Sequence, residues 1–541
     1  MLALRLWRRA YSKLVVAVIA VLLAAIPLQN SYASGGADLV HLKILAINDF
    51  HGYITSTEKL GGMPVGGAAY LSSYFVQREM QANVTLRVHA GDAVGASPPL
   101  SGLLQDEPTI EVLSMLGFDV GVPGNHEFDE GLAELYRLQY GGHHDVTGYF
   151  HGSSFPLVAA NVIRKDTGEP IFPPFVIKAV LGVPVAFIGV VTAEAPSVIT
   201  QARVSDLEFE DPVEAVNRWV REIRSLGIEA IVVLAHEGGT VDEDSGLVEG
   251  PIVDIAFGVD DAVDAIVCGH THQGYATHID DKLVVQAYSK GTAFADIHLV
   301  IDRNTGDVAY SEAEIVTVWA DAVQPDPRIL GLIGKYEEEV KPVTDRVIAT
   351  AASDLTRKQS EAGESALGNL IADAHRWVAQ ADIAFTNPGG IRNDLQAGDV
   401  TWGELYVVQP FGNDLVKMTM TGDQILRALN QQWRQAGDSV EVKFLQASGI
   451  KYAWDPSRPL GDRIVSAALE DGTLLQSDAE YTVAVNGFLA SGGDGFTVFA
   501  EACQRTVVTN DLDALIQFLQ SLGRPVEAEI EGRITKLSPD R

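Results

Sequence analysis

The segment Leu42-Lys-Ile-Leu-Ala-Ile47-Asn48-Asp49-Phe50-His51-Gly52 passes directly from an apolar run to a carboxylate and an imidazole two residues apart. The pattern recurs. Val84–Val88 precedes Gly91-Asp92, Ile228–Leu234 precedes His236-Glu237-Gly-Gly, and Ala262–Val267 precedes Gly269-His270-Thr-His272, with Gly124-Asn125-His126-Glu127 between them. Together with Ala186–Val191, short apolar runs alternating with helical spacing give an α/β texture. In such sheets ligand sites collect at the carboxyl edge of the strands. Alternate residues of an extended segment share a face, so Asp49 and His51 are expected to grip one ion together. His270 and His272 do likewise, each reaching a different ion if the chain bends. Carboxylate, imidazole and one amide form a mixed N/O set that suits Zn, Mn, Fe, Co or Ni better than an all-oxygen Mg or Ca cage. Two ions about 3.5–4 Å apart share a ligand, and Asp92 is the candidate bridge. Taken singly, Asp-x-His reads as a surface pair and Gly-Asp as a turn; the five in series carry the metal reading. His143, His144 and His151, in a Gly-rich stretch, read as exposed loop histidines.

The 541 residues leave room for three or four domain-sized units, or fewer large ones. With 47% hydrophobic and 21% charged residues the chain is neither disordered nor a polytopic membrane protein. A net charge of −33 lacks the basic footprint of a duplex-DNA binder. Two cysteines exclude a disulfide-dense scaffold, and Cys268 and Cys503 read as small buried thiols. The α/β pattern of the first domain, 40–319, ends near Trp319. Pro325 and Pro327 then break it, and Ile329–Val340 reads as a short charged helix stopped by Pro342, a linker over 320–343. In the second domain, 344–541, helical spacing joins Leu367, Leu370, Ile371, Ala374 and Val378, and also Ile425, Leu426, Leu429 and Trp433. Thr482–Val485 and Glu527–Ile534 read as extended.

At the amino end, Arg5, Arg8, Arg9 and Lys13 precede the apolar run Leu14–Leu28 and the small-x-small site Ser31-Tyr32-Ala33. This is the pattern of a cleaved secretory signal, residues 1–33; the apolar run is short for a membrane span of about 20 residues. Its loss removes four positive charges and no acids, taking −33 to −37. The chain closes on Ile534-Thr-Lys-Leu-Ser-Pro-Asp-Arg541 with no apolar tail. The expectation is a monomer, periplasmic or secreted, with no membrane attachment after cleavage.

The order Asp-x-His, Gly-Asp, Gly-Asn-His-Glu, His, Gly-His-x-His resembles the calcineurin-like metallophosphoesterases. Asn48-Asp-Phe-His-Gly52, Asn387-Pro-Gly-Gly-Ile-Arg392 and Asn486-Gly-Phe-Leu-Ala-Ser-Gly-Gly-Asp-Gly-Phe496 are similar to segments of the secreted 5′-nucleotidases and UDP-sugar hydrolases, over essentially the whole mature chain. The resemblance implies a four-layer αββα metal domain, a linker helix and a smaller α/β domain that holds a nucleotide. It implies Asp49, His51, Asp92 and His272 around one ion, and Asp92, Asn125, His236 and His270 around the other. Phe411 and Phe488 would clamp the base, which stacking does with loose base choice. Asn387 would bond a base edge, Asp494 would accept from ribose hydroxyls, and Arg392 and Arg357 would pair with phosphate. One departure stands out: many relatives carry a second arginine four residues after the Arg357 position, where this chain has Glu361.

The chemistry implied is release of phosphate from nucleoside 5′-monophosphates. Two cations neutralise the phosphate and acidify a water, while His126, oriented by Asp129, protonates the leaving oxygen. The scaffold also resembles 2′,3′-cyclic phosphodiesterases with 3′-nucleotidase activity, secreted nucleases, and NAD-cleaving pyrophosphatases. A thiosulfate-ester hydrolase shares the architecture, but the clamp aromatics argue against that activity. A surface nucleotide-binding protein without catalysis would have lost a ligand, and none is lost. Amino-terminal sequencing of the exported protein is expected to begin near Ser34; intact Met1 on membrane-bound protein would overturn the signal reading.

Overall fold

The computed structural model describes residues 38–242, 244–436 and 439–537; the expected signal segment lies outside them. Strands β1 (Leu39–Ile47), β2 (Val84–Ala90) and β3 (Val120–Val122) run parallel. A second sheet takes β4 (Phe175–Val180), β5 (Val183–Val191), β6 (Ala230–His236), β7 (Ala265–Cys268), β8 (Gly274–Ile279) and β9 (Lys282–Ala287), in the order β8-β9-β7-β6-β5-β4. The chain then returns to the first sheet with β10 (Ala293–Asp302) and β11 (Val308–Thr317), whose order is β11-β10-β1-β2-β3.

The two sheets pack face to face, and alternation along β5 shows why. Val185 and Phe187 enter a core shared with Ile44 and Val88 of the first sheet. Ala186, Ile188 and Val190 point the other way, against Val216 and Val220 of a covering helix. Both faces are dry, so the strands read as unbroken apolar runs without a period of two. Helices α1 (Ala68–Glu79) and α2 (Glu107–Leu116) cover the first sheet; the Phe75 ring of α1 meets Phe294 of β10 edge to face at 5.3 Å. Helices α3 (Pro212–Ser225) and α4 (Pro251–Gly258) cover the second. Helix α3 starts where Asp211 accepts from the Glu214 N–H at 2.9 Å and Pro212 takes the first helical position. The result is the expected αββα sandwich.

The joint departs from expectation. Helix α5 (Pro327–Thr344) begins at Pro327 with Asp326 as its cap and runs through Pro342, which stands in the last turn without stopping it. Ile329 and Ile333 belong to the first domain's core, so α5 is docked on that domain and is no free linker.

The second domain centres on β12 (Ile383–Thr386), β13 (Asp414–Thr421), β14 (Gln446–Ser448), β15 (Glu480–Asn486) and β16 (Cys503–Asn510), ordered β14-β12-β15-β13-β16. Helices α6 (Ala366–Ala379) and α9 (Asp511–Ser521) pack together on it, and α7 (Trp402–Val408) and α8 (Gly422–Asn430) lie between them in the chain. Trp433 is buried as its spacing suggests, but in a strand, because α8 ends at Asn430. Of Glu527–Ile534 only Ile534 is in a strand, since side chains pin the rest: Asn369 donates to Glu529 O at 3.0 Å, and Arg533 pairs with Asp373 at 2.8 Å. Both cysteines are free; Cys268 is buried as expected, whereas Cys503 is exposed at the start of the edge strand β16. His143 and His144 sit on a small hairpin; His143 and His151 are exposed and His144 is half-buried. No helix among the described residues is long and apolar enough to cross a membrane.

Candidate metal centre and substrate cleft

Every motif of the sandwich lands at the carboxyl ends of the parallel strands, where the two sheets face each other. Asp49 and His51 follow β1, Asp92 follows β2, Asn125 follows β3, His236 ends β6, and His270 and His272 follow β7. Backbone bonds set the first two motifs side by side: Asp49 N–H to Gly91 O at 3.0 Å and His51 N–H to Asp92 O at 2.9 Å. The shared direction of Asp49 and His51 does not come from an extended segment. Both are left-handed (φ 49° and 48°), as are Asp92 (48°), His270 (74°) and His272 (56°). Non-glycine residues held there cost about 1–3 kcal/mol each and gather at functional sites.

Three groups of donor atoms close to within 4.8 Å: Asp49, His51 and His272; His51, Asp92 and His126; Asp92, His236 and His270. Asp92 is common to the last two. The tautomers follow from the partners. His51 Nδ1 lies 3.0 Å from Gly95 O and His236 Nδ1 lies 2.8 Å from Ala90 O, so each Nδ1 carries the proton and donates to a carbonyl. His236 Nε2 then faces Asp92 Oδ2 at 3.2 Å and Asn125 Oδ1 at 3.1 Å, and His51 Nε2 faces His272 Nε2 at 3.2 Å. Donor atoms of this kind converge only with positive charge among them, so the set fits divalent metal. Without metal a proton supplies that charge: burial opposes a charged His236, but the Asp92 carboxylate outweighs it and pushes the ring up to about 10, and a metal would take the place of the Nε2 proton. Burial would likewise raise Asp92, yet His236 and His126 hold it well below the usual carboxylate range.

Glycines let these groups approach. A Cβ on Gly124 would lie 2.1 Å from Asp92 Oδ1, and one on Gly91 2.4 Å from His236 Nδ1. Two supporting residues went unassigned in the sequence. Glu127 accepts from the backbone N–H of Asp92, Ala93, Val94 and Gly124, although burial and the nearby Asp92 push its carboxyl up to about 7. Asn48 donates to Asp49 Oδ2 at 2.6 Å and accepts from Ala287 N–H at 2.8 Å. Their places inside Asn-Asp-x-His and Gly-Asn-His-Glu were the only signal.

Above this centre lies a cleft of about 880 Å³ between the domains. His126 projects into it with Nδ1 2.7 Å from Asp129 Oδ2; burial opposes a charged ring, but Asp129 and Asp92 together outweigh it and raise the ring's pKa. Phe411, Phe488 and Arg392 line the opposite wall, half-buried and outside the hydrophobic core. Phe411 lies parallel to the His126 ring at 5.7 Å, and the Arg392 guanidinium sits 5.8 Å from the Phe411 centroid. Burial and the neighbouring Arg357 lower the Arg392 pKa. Asn387 and Asp494 also line the cleft but hold each other: Asn387 Nδ2 donates to Asp494 Oδ2 at 2.8 Å, and Asn387 Oδ1 accepts from Asn486 at 2.9 Å. The second Asp494 oxygen accepts from Lys443 at 2.8 Å, a partner the sequence did not reveal. Arg357 is not brought in; it is exposed and donates to Ile391 O at 3.2 Å.

Comparison with known proteins agrees with this geometry. Residues 42–274 match the model of calcineurin-like phosphoesterases and 346–501 that of the 5′-nucleotidase C-terminal domain. The solved 5′-nucleotidase precursor of Thermus thermophilus aligns with a TM-score of 0.78 at 31% identity, over 92% of this chain and 100% of that one. A cell wall protein of Listeria monocytogenes is 36% identical over 94% of this chain and 71% of its own length. Endonuclease YhcR of Bacillus subtilis is 38% identical over 92% of this chain, which spans only 41% of that protein. The fold and site are those of a phosphoesterase, a hydrolase class that uses divalent metals. Within that class the chain belongs to the 5′-nucleotidase family.

Gly124→Ala should push the Asp92 carboxylate aside and leave purified protein with substoichiometric metal by elemental analysis, while circular dichroism stays that of the native fold. A full metal complement would show that the turn can yield.

Proposed function

We propose that this chain is an extracytoplasmic hydrolase that releases phosphate from nucleoside 5′-monophosphates with the help of two divalent metals. The observation that carries the proposal is the single cleft that has Asp92, Asn125 and His270 on one side and Arg392, Phe411 and Phe488 on the other. Asp49, His51, Asp92 and His272 would hold one metal, and Asp92, Asn125, His236 and His270 the other. When bound, the pair supplies Lewis-acid neutralisation of the phosphoryl group and activation of water. The remaining work falls to the protein. Arg392 offers its planar fork to phosphate oxygens, for which a guanidinium is well shaped. His126 gives a proton from Nε2 to the departing alkoxide, with Nδ1–H held by Asp129. Phe411 stands beside His126 and offers its ring to the base, with Phe488 as its counterpart.

The division of labour follows the chain, with a catalytic domain over 40–319 and a binding domain over 344–541. Because α5 is docked on the first domain, the joint between them falls after Val340, the last buried residue of the helix. Nuclease activity is a second reading, favoured by the similarity to Endonuclease YhcR. The net charge of −33 opposes it, since a polyanion must approach against that field.

The test is phosphate or nucleoside release from AMP, cyclic nucleotides, UDP-sugars and a single-stranded oligonucleotide, with several metals. AMP is expected to be turned over fastest, and His126→Ala to lower kcat on AMP by about 10²–10⁴ with metal content unchanged. A small loss of rate together with lost metal would make His126 a ligand instead. Replacing both Phe411 and Phe488 by Ala should remove about 1–3 kcal/mol of stacking per ring and raise KM for AMP far more than KM for a small aryl phosphate. Equal losses on both substrates would mean that the rings support the fold and not the base.

A further inference from the structure

The nucleoside end of the cleft is not walled by the C-terminal domain alone. Beyond β5 the chain crosses from the second sheet toward the cleft, and its first step is fixed to the metal-bearing edge: Thr192 N–H donates to His236 O at 2.9 Å. Glu194 N–H then donates to the Thr192 hydroxyl at 3.2 Å, and a short helix follows over Ala195–Val198. Ser197 Oγ closes that turn onto Glu194 O at 2.8 Å, and Ile199 is buried beneath it. The helix packs against Gly493–Gly495, the turn in which Asp494 is held left-handed at φ 56°. Val198 and Thr200 line the same cavity as Phe411, Phe488 and Asp494. Among the described residues the Thr200 hydroxyl has no hydrogen-bond partner, although it lies half-buried at the cavity wall.

We propose that Val198 and Thr200 are nucleoside-binding residues supplied by the catalytic domain, Thr200 through a hydrogen bond to a ribose hydroxyl and Val198 through apolar contact beside it. The assignment to ribose follows from position, because the segment packs on the turn of Asp494, the carboxylate to which the family resemblance gives the ribose hydroxyls. A hydroxyl both donates and accepts, so Thr200 can bond a ribose oxygen whose O–H donates to Asp494. Selectivity for the sugar is then set by two domains together. This inference rests on the nucleotidase reading.

The experiment compares kcat/KM for AMP and for 2′,3′-dideoxyadenosine 5′-monophosphate in the wild type, Thr200→Val and Thr200→Ser, with the inhibition constant of adenosine measured alongside for Val198→Trp. Thr200→Val keeps the shape and removes the hydroxyl, so the preference for AMP over the dideoxy nucleotide should fall about 3- to 10-fold, the loss of one hydrogen bond. Thr200→Ser should restore most of it. Val198→Trp, which fills the cavity wall, should weaken adenosine inhibition by more than about tenfold, the range of overpacking a formed site. An unchanged ribo/dideoxy preference in Thr200→Val, with wild-type turnover of AMP, overturns the inference and leaves the nucleotidase reading standing. Wild-type protein that hydrolyses an aryl phosphate but no nucleotide overturns the nucleotidase reading itself. Should Val198→Trp fail to fold, seen as loss of the native circular dichroism, the Thr200 pair decides.

Discussion

The site depends on one electrostatic constraint: carboxylate oxygens and imidazole nitrogens converge around Asp92 and need positive charge, proton or metal, among them. The Nδ1 protons of His51 and His236 are committed to the carbonyls of Gly95 and Ala90, which leaves Nε2 of each ring to face other acceptors. Such an arrangement is stable only around positive charge, and it forces the surrounding chain into conformations it would otherwise avoid. Five of the seven converging residues are left-handed, and Gly91 and Gly124 stand where any side chain would strike His236 or Asp92. The double sheet makes this tolerable. Strands buried on both faces fix their carboxyl ends, so turns only a few residues long inherit a rigid base. Glu127 adds four backbone bonds that tie the Asp92 turn to the Asn125 turn.

The same charge logic extends across the domain boundary. Arg392 belongs to the second domain, yet Asp92 and Asp129 of the first are among the groups that act on its pKa. Phe411 lies flat against His126. The cleft is therefore a joint property of both domains, and helix α5, docked on the first domain while touching α7 of the second, keeps them within reach of each other. The second domain also stiffens its own wall. Asn486, Asn387, Asp494 and Lys443 form a chain of hydrogen bonds, so the Asn387 amide is already occupied on both ends, and a base edge would have to compete for it.

The sequence by itself determined the sandwich and its metal-binding edge. Unbroken apolar runs mark strands covered on both faces, and a ligand type placed just after each run needs no long-range information to be recognised. Asp49, His51, Asp92, Asn125, His236, His270 and His272 all met on that basis. What spacing could not show was conformation: Asp49 and His51 share a direction because both are left-handed, not because the segment is extended. Nor could it show how a buried residue gets buried; Trp433 continues a helical spacing yet sits in a strand, and Pro342 rides in the last turn of a helix it was expected to end. Tertiary structure alone decided that Arg357 stays outside the cleft while Arg392 enters it, that Lys443 holds Asp494, and that a segment of the first domain reaches the turn of the second. The physical reason is range. Periodicity and local chemistry act over a few residues and are written in order along the chain, whereas these contacts join positions far apart in the sequence and exist only once the chain has folded, some within the second domain and others between the two domains.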